Sequence, residues 1–178
     1  LKMPWHWRKG PSTASERDHF GHLLQTEEYP QNTLFCADAG FVSYQLWKTI
    51  LERGQSFLLR VGGNAILLRQ LDRTGNSKGM VHCWPRRERE KQNPPLTLRL
   101  IELSGPRGKV YLLTNVLAEA ELSHAQASEL YQLRWGVEVQ FRSFKQTFGR
   151  RKLRSRTPQH ALAELDWSLV GLWIAQLF

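Results

Sequence analysis

The chain has 178 residues, of which 41% are hydrophobic, and this is enough for one domain with a sizeable core. The composition excludes the disordered, collagen-like and disulfide-rich classes of protein. Lysine and arginine number 25 against 16 acidic residues, and the resulting charge of +9 favours a polyanionic partner, either nucleic acid or an anionic membrane surface.

The two cysteines, Cys36 and Cys83, are too few for a disulfide framework and lie in apolar surroundings. We therefore expect buried, reduced thiols in a cytoplasmic protein. His82 beside Cys83 raises the alternative of a zinc site, but a second spaced pair of ligands is missing from the sequence.

Both ends of the sequence predict a fragment. The chain opens on Leu1 and not on Met, within a run that resembles a strand. The C-terminal run LVGLWIAQLF predicts a core helix that is cut short, and it is too short to span a bilayer. We expect a chain that lacks sequence at both ends and does not enter a membrane.

The first third of the chain alternates between helical and strand patterns. A helix is predicted from Ser15 to Gln25, and a short apolar strand from Thr33 to Ala37 ends on Asp38. Helical spacing then continues from Val42 to Arg53, and the buried strand SFLLRV follows. A strand, helix and strand in this order predict an α/β sheet.

Between residues 62 and 109 the pattern changes to short β-type runs separated by turn residues. We predict a β-rich insertion or sheet extension there, between a first core segment (1–61) and a last one (110–178). The charged run RRERE within it is expected to be a solvated loop, with nucleic-acid contact as the alternative.

The third segment predicts one long helix that starts at Ser123 as N-cap and runs to Phe148, before Gly149. At 100° per residue its apolar side chains form one stripe for the core. The stripe comprises Leu130, Leu133, Val137, Phe141, Phe144 and Phe148. A narrow polar ridge lies beside it and comprises Tyr131, Arg134, Glu138, Arg142 and Lys145.

Glu138 is the only acid on this cationic ridge, and two interpretations are open. In the first, it forms i,i+4 ion pairs with Arg134 and Arg142, each contributing only about 0.2–0.5 kcal/mol. In the second, it is a carboxylate ligand of Mg²⁺ and the flanking cations bind phosphates. The run from Arg142 to Arg156 contains seven cations and no acid, which favours contact with a nucleic-acid backbone.

Written as a pattern, Tyr131, Arg134, Glu138 and Lys145 are Y-x(2)-R-x(3)-E-x(6)-K. This resembles the YREK signature of the insertion-sequence DDE transposases of the IS-four family. The stretch ADAGF, at Asp38, is similar to the block that carries the second catalytic Asp of that family. The resemblance extends over nearly the whole chain.

The resemblance implies an α/β fold with an RNase H-like core that is interrupted by the β-rich insertion. It implies Mg²⁺-dependent phosphodiester cleavage and strand transfer at transposon ends, with Mn²⁺ as a substitute metal. Asp38 and Glu138 would be catalytic metal ligands, and Tyr131, Arg134 and Lys145 would bind DNA. Arg142 is added to the DNA-binding residues because it lies on the same ridge.

The resemblance also implies partners and a location. The partner would be double-stranded DNA, both the terminal repeats and the target, bound by a homodimer in a synaptic complex. A bacterial cytoplasmic location at the nucleoid follows from this partner.

The family's first catalytic Asp has no counterpart here, because Asp18 falls in a predicted helix and no acid before Asp38 ends a strand. Two-metal catalysis should therefore be lost or severely reduced in this chain. The alternatives are a non-catalytic basic DNA-binding remnant and a basic RNA-binding protein. The latter has no need of a carboxylate within a cationic ridge.

Overall fold

The structure is a computed structural model that describes residues 6–11, 13–62, 71–72, 79–105, 108–146 and 153–175. The chain divides into two compact units. The larger unit is Gly10–Gln132, and the smaller one combines Leu1–Lys9 with Leu133–Phe178.

The larger unit is built on one sheet, whose strands in the described residues are β1 (Leu34–Ala37), β2 (Ser56–Val61), β3 (Leu71–Asp72), β4 (Met80–Cys83), β5 (Leu96–Gly105) and β6 (Gly108–Thr114). Their order in the sheet is β1-β2-β6-β5-β4-β3. Among these described strands, β1 and β2 are parallel and the other neighbouring pairs are antiparallel. The β-rich middle of the chain extends the same sheet that β1 and β2 begin.

The predicted strand, helix and strand unit is confirmed as β1, helix α2 (Tyr44–Glu52) and β2. Ser43 caps α2, because its side chain accepts a hydrogen bond from the Leu46 N–H. Gly54 ends the helix region with a φ of 65°, a left-handed conformation that favours glycine. This unit places the end of β1 beside the end of β2.

The two faces of the sheet carry separate apolar clusters. On one face, α1 (Glu16–Thr26) and α2 pack against the sheet through side chains such as Leu24, Trp47 and Phe57, all 0–1% exposed. On the other face, Leu58, Ile101 and Leu112 pack against the segment around helix α4 (His124–Leu133), which contributes Leu122, Ala127, Leu130 and Tyr131. Burial of both faces explains why β2 is an almost continuous apolar run.

Helix α4 begins as predicted. The Ser123 hydroxyl accepts a hydrogen bond from the Gln126 N–H at 3.2 Å, and the Gln126 side chain accepts one from the Ser123 N–H at 2.9 Å. This reciprocal pair is a capping box, which satisfies two backbone donors at the start of the helix.

The single helix predicted from Ser123 to Phe148 is wrong. Helix α4 ends at Leu133, and α5 (Trp135–Gln146) begins after a turn at Arg134, while residues 147 and 148 lie outside the described part. At the turn, the Val137 N–H donates to the Arg134 carbonyl at 3.0 Å, an i,i+3 bond where a continuous helix would have i,i+4.

The predicted core stripe along that helix is also wrong for most of its length. Phe144 is 8% exposed, but Leu133, Val137 and Phe141 are 52%, 53% and 58% exposed. The break at Arg134 explains the exposure of Val137 and Phe141, because α4 packs within the larger unit and α5 belongs to the smaller one. The apolar residues that the sequence pattern groups into one stripe therefore do not all pack into a single core.

The charged run RRERE is not a solvated loop but the short helix α3 (Arg86–Glu90). Glu88 points inward, where its carboxylate accepts hydrogen bonds from Asn93 Nδ2 at 2.7 Å and Gln45 Nε2 at 2.9 Å. Burial alone would raise the pKa of Glu88, but these bonds and the nearby cations hold the pKa below its ordinary value.

In the smaller unit, helix α6 (Pro158–Ala175) was predicted as a core helix, but in its described residues only Ser168 and Leu172 are buried. Asp166 holds the N-terminal segment to this helix through hydrogen bonds from Lys9 Nζ and Trp7 Nε1. Lys9 is the main reason why the pKa of Asp166 is lowered. No helix in the described ranges is long and apolar enough to cross a membrane.

Candidate active site and nucleic-acid interface

Asp38 lies directly after β1, at the carboxyl end of the strand. Its backbone is extended, and its Oδ1 accepts a hydrogen bond from the Gly40 N–H at 2.8 Å, which caps the turn Ala39–Phe41. A Cβ on residue 40 would lie 3.0 Å from that oxygen, so glycine lets the N–H approach closely. The D-x-G spacing thus has a local physical reason, and the Asp38 side chain stays exposed.

Arg60 is the residue beside Asp38 that sequence reasoning missed. The last pair in the β1–β2 ladder joins Ala37 to Leu59, and Asp38 and Arg60 are the next residues on the two strands. Neighbouring strands lie about 4.8 Å apart. In the sequence, the signal for this residue was a single arginine within the apolar run SFLLRV. In the structure, Arg60 is the exposed residue of that strand.

Tyr131 lies on α4 and is half-buried against the cluster that contains Leu34, Cys36 and Leu58. Side chains alternate between faces along a strand, so Arg60 follows Leu58 onto this face of the sheet. Tyr131 and Arg60 therefore belong to the same face of the sheet.

Glu138 forms an i,i+4 ion pair with Arg134, the local contact that the first interpretation predicts. Its Oε1 lies 3.1 Å from Arg134 Nη1, with side-chain exposures of 45% for Glu138 and 14% for Arg134. This pair matches the local contact of the first interpretation, and the DNA-binding role of Arg134 stays a prediction. The Arg134 guanidinium also lies 5.6 Å from the centre of the Trp135 ring, which leaves it held between two neighbours.

Arg142 and Lys145 extend along α5 and are both exposed. Farther on, the carboxylate of Glu164 accepts hydrogen bonds from the backbone N–H groups of Arg154 and Ser155 at 2.9–3.1 Å. The exposed side chains of Arg154 and Arg156 are thus carried by a segment fixed to α6. The cations at 150–152 lie outside the described residues.

Mg²⁺ prefers hard oxygen ligands such as carboxylates. The two carboxylates predicted to bind it, those of Asp38 and Glu138, fit that role chemically. Within the described ranges, no partner is found for Asp38 beyond the Gly40 N–H, nor for Glu138 beyond Arg134, so each retains an oxygen for a metal. Asp38 belongs to the larger unit and Glu138 to the smaller one. In the described part of the chain, no group of three or more His, Cys, Asp or Glu side chains is placed to hold a metal ion.

The zinc alternative finds no support at His82. Its Nδ1 is 3.2 Å from Thr97 Oγ1. Burial raises the pKa of the neighbouring Cys83 thiol to about 12, whereas zinc binds the thiolate form. The pair has the character of core residues.

The model of the transposase DDE domain family matches residues 9–173. The chain belongs to this family. It is 29% identical over 171 residues to the transposase InsG for insertion sequence element IS4 of Escherichia coli strain K12, and this alignment covers 90% of the chain. The chain spans only 37% of the length of that relative.

The fold is similar to that of the piggyBac transposase, solved as a synaptic complex with hairpin DNA. The TM-score is 0.50 at 16% identity, covering 91% of this chain and 34% of that one. These findings confirm the predicted family, IS4-type DDE transposase, and the α/β fold with an RNase H-like core. The roles of individual residues in this DDE domain stay predictions.

Proposed function

We propose that this chain forms the part of a transposase catalytic domain that cleaves DNA and transfers strands at transposon ends. One observation carries the proposal. In a chain that matches the DDE domain family, Asp38 directly follows strand β1, and the pattern of Tyr131, Arg134, Glu138 and Lys145 spans two successive helices. The carboxyl ends of strands are where α/β sheets usually place their sites.

In this proposal Asp38 and Glu138 hold Mg²⁺, for which Mn²⁺ substitutes. When bound, the metal neutralises charge on the reacting phosphate and activates the attacking oxygen. The two residues contribute hard, exposed oxygen ligands, and the Gly40 N–H orients the Asp38 carboxylate. Arg134, paired with Glu138, limits how that side chain can turn.

Tyr131, Arg134, Arg142 and Lys145 are proposed to contact double-stranded DNA, both terminal repeats and target. Exposed Arg142 and Lys145 support this role, because phosphates are bound by cations that are free to reach them. We also propose that the protein acts as a homodimer in a synaptic complex, the kind of assembly in which the piggyBac transposase was solved with hairpin DNA. The place of action would be the bacterial cytoplasm.

A second candidate function is a non-catalytic, basic DNA-binding protein. The Arg134–Glu138 ion pair favours it, because a carboxylate neutralised by its neighbour serves structure without a metal. The net charge of +9 favours DNA binding in both cases.

Metal binding distinguishes the catalytic domain from the non-catalytic DNA-binding protein. The wild type, Asp38→Asn and Glu138→Gln are titrated with Mn²⁺ in the presence of duplex DNA, and free Mn²⁺ is followed by electron paramagnetic resonance. We expect each substitution to weaken Mn²⁺ binding by at least about the tenfold that loss of an outer-shell partner costs.

Glu129→Gln is the matched control, because Glu129 is exposed on α4 and changes the charge equally. Equal Mn²⁺ binding by all four proteins, with DNA binding intact, would contradict the catalytic proposal and favour the second candidate. A plasmid-nicking assay with Mg²⁺ or Mn²⁺ then measures whether this chain cleaves by itself.

A further inference from the structure

We propose that Arg60 binds a phosphate of the DNA beside the Asp38 carboxylate, and so positions the strand that is to be cut. The inference rests on the proposed function for the identity of the substrate. It adds a residue that lies outside the YREK pattern and outside the D-x-G-F block.

The pairing register of β1 and β2 places Arg60 beside Asp38. Ala37 pairs with Leu59 across the parallel strands, and Asp38 and Arg60 each follow by one residue. The Asp38 backbone stays extended, with φ at −89° and ψ at −175°. Their backbones therefore lie about one strand spacing apart, near 4.8 Å, and a phosphate held by a metal at Asp38 is within the length of an arginine side chain.

Arg60 is an exposed charged residue in a strand whose neighbouring residues are buried. Strand β2 lies between β1 and β6, and its residues Phe57, Leu58, Leu59 and Val61 are 0–1% exposed. Arg60 is exposed in the middle of this run. A charge on an edge strand prevents aggregation, but β2 is an interior strand, so this explanation does not apply.

Arg60 has no polar partner among the described residues. In the described part of the chain, the Arg60 guanidinium makes no hydrogen bond or ion pair, and the Asp38 carboxylate bonds to the Gly40 N–H instead. The five donors of a free guanidinium match the oxygens of a phosphate in a bidentate arrangement. A neighbouring cation also offsets the repulsion between Asp38 and a DNA phosphate.

Arg60 and Tyr131 lie on the same face of the sheet. Arg60 lies on the same face as Leu58, against which α4 packs with Tyr131. The family pattern assigns Tyr131 to DNA. One bound strand could thus contact Tyr131 and Arg60 while its phosphate lies at Asp38.

Variants of Arg60 are compared with a matched arginine at the other end of the sheet. Helix α3 follows β4, whose last residue, Cys83, pairs with the first residue of β5, Leu96. Since β5 runs in the same direction as β1, this end is where β1 begins, away from Asp38. Arg87 is exposed on α3, so Arg87→Gln removes the same charge at a distance from the site.

Binding of a fluorescein-labelled duplex is measured by anisotropy over a range of salt concentrations. For Arg60→Gln we expect about tenfold weaker binding, as for the loss of one charge-assisted contact. The slope of log affinity against log salt should become shallower by about 0.9, the value for one phosphate. Arg60→Lys should keep the slope but lose part of the affinity, and Arg87→Gln should change neither.

A covalent probe tests the position directly. Burial raises the pKa of Cys36 to about 11 and that of Cys83 to about 12, so both native thiols stay protonated and unreactive at neutral pH. An iron-chelate label on Arg60→Cys should cleave bound duplex DNA in the presence of ascorbate and peroxide. The same label on Arg87→Cys should not.

Equal affinities and slopes for wild type and Arg60→Gln, or equal cleavage from positions 60 and 87, would overturn the inference. These failures are distinct from failure of the proposed function, which would appear as Mn²⁺ binding that Asp38→Asn and Glu138→Gln leave unchanged. The thermal midpoint of Arg60→Gln should match the wild type, since the exposed side chain has no partner in the described structure to lose.

Discussion

Carboxylates in this domain have different roles because their neighbours differ. Glu88 accepts two hydrogen bonds at Oε2, from Asn93 and Gln45, and its Oε1 lies 3.9 Å from Lys91 Nζ. Both oxygens of Glu164 accept hydrogen bonds from the backbone at 154–155. Such carboxylates stabilise local structure and have little capacity left for a metal. Asp38 and Glu138 are exposed and have fewer donors, which is why they are the candidates for metal binding.

Glu88 yields a prediction about acid stability. Its pKa in the folded protein is held below the ordinary value of 4.5, chiefly by Asn93 and Gln45 acting against the effect of burial. A lowered pKa means that the charged form stabilises the fold at pH values above 4.5. This stabilisation is lost as the pH falls through the lowered pKa.

We therefore expect Glu88→Gln to be less stable than the wild type at neutral pH, and the difference to vanish in acid. Urea unfolding at a series of pH values measures it. Glu90→Gln is the control on the same helix, because Glu90 is 61% exposed and its pair with Arg86 contributes little. A difference for Glu88→Gln that is independent of pH would contradict the assignment.

At the scale of elements, the turn at Arg134 separates two helices that a continuous pattern had joined. Helix α4 packs against the sheet through Ala127 and Leu130, whereas α5 buries only Gly136 and Phe144 among its described residues. Helix α5 therefore presents apolar side chains and cations together on its exposed surface.

Phe141 and Phe144 on α5 test this arrangement as a matched pair. Phe144 is 8% exposed and Phe141 is 58% exposed, although both belong to the stripe predicted from the sequence. We expect Phe144→Ala to lower the free energy of unfolding by about 3 kcal/mol, as for other buried phenylalanines. Phe141→Ala should lower it by less than about 0.5 kcal/mol, as at other surface positions.

Thermal or urea unfolding, followed by circular dichroism, measures both variants. A loss for Phe141→Ala as large as that for Phe144→Ala would show that Phe141 is covered in solution, contrary to this structure.

The net charge of +9 is concentrated in part on α5 and the segment after it. From Arg142 to Arg156 there are seven cations and no acid. Each cation that neutralises a DNA phosphate releases counterions, so affinity falls as salt rises.

Exchange of both Arg142 and Lys145 to glutamine should therefore make the salt slope of duplex binding shallower by about 1.8, twice the value for one phosphate. Binding should weaken similarly on unrelated sequences, because phosphate contacts do not read bases. Anisotropy titrations on two unrelated duplexes measure this. An unchanged slope would show that the ridge does not contact DNA.

Elements with local causes are predictable from short stretches of the sequence. The apolar runs of β1 and β2, the helical spacing of α2 and the Ser123 cap lie within short stretches, and each was found where the sequence predicts it. The position of Asp38 at a strand end is of this kind, because a strand and the D-x-G turn that follows it are read from neighbouring residues.

Features that depend on residues far apart in the chain follow from the folded arrangement and are not predictable in this way. Arg60 lies beside Asp38 only because β1 and β2 pair in one register, and Glu88 turns inward only because Gln45 and Asn93 meet it there. Likewise, the division of the chain after Gln132 sends two parts of one apolar stripe to different units. A sequence pattern records which residues are apolar or charged, but the partners that bury or pair them are supplied by the fold.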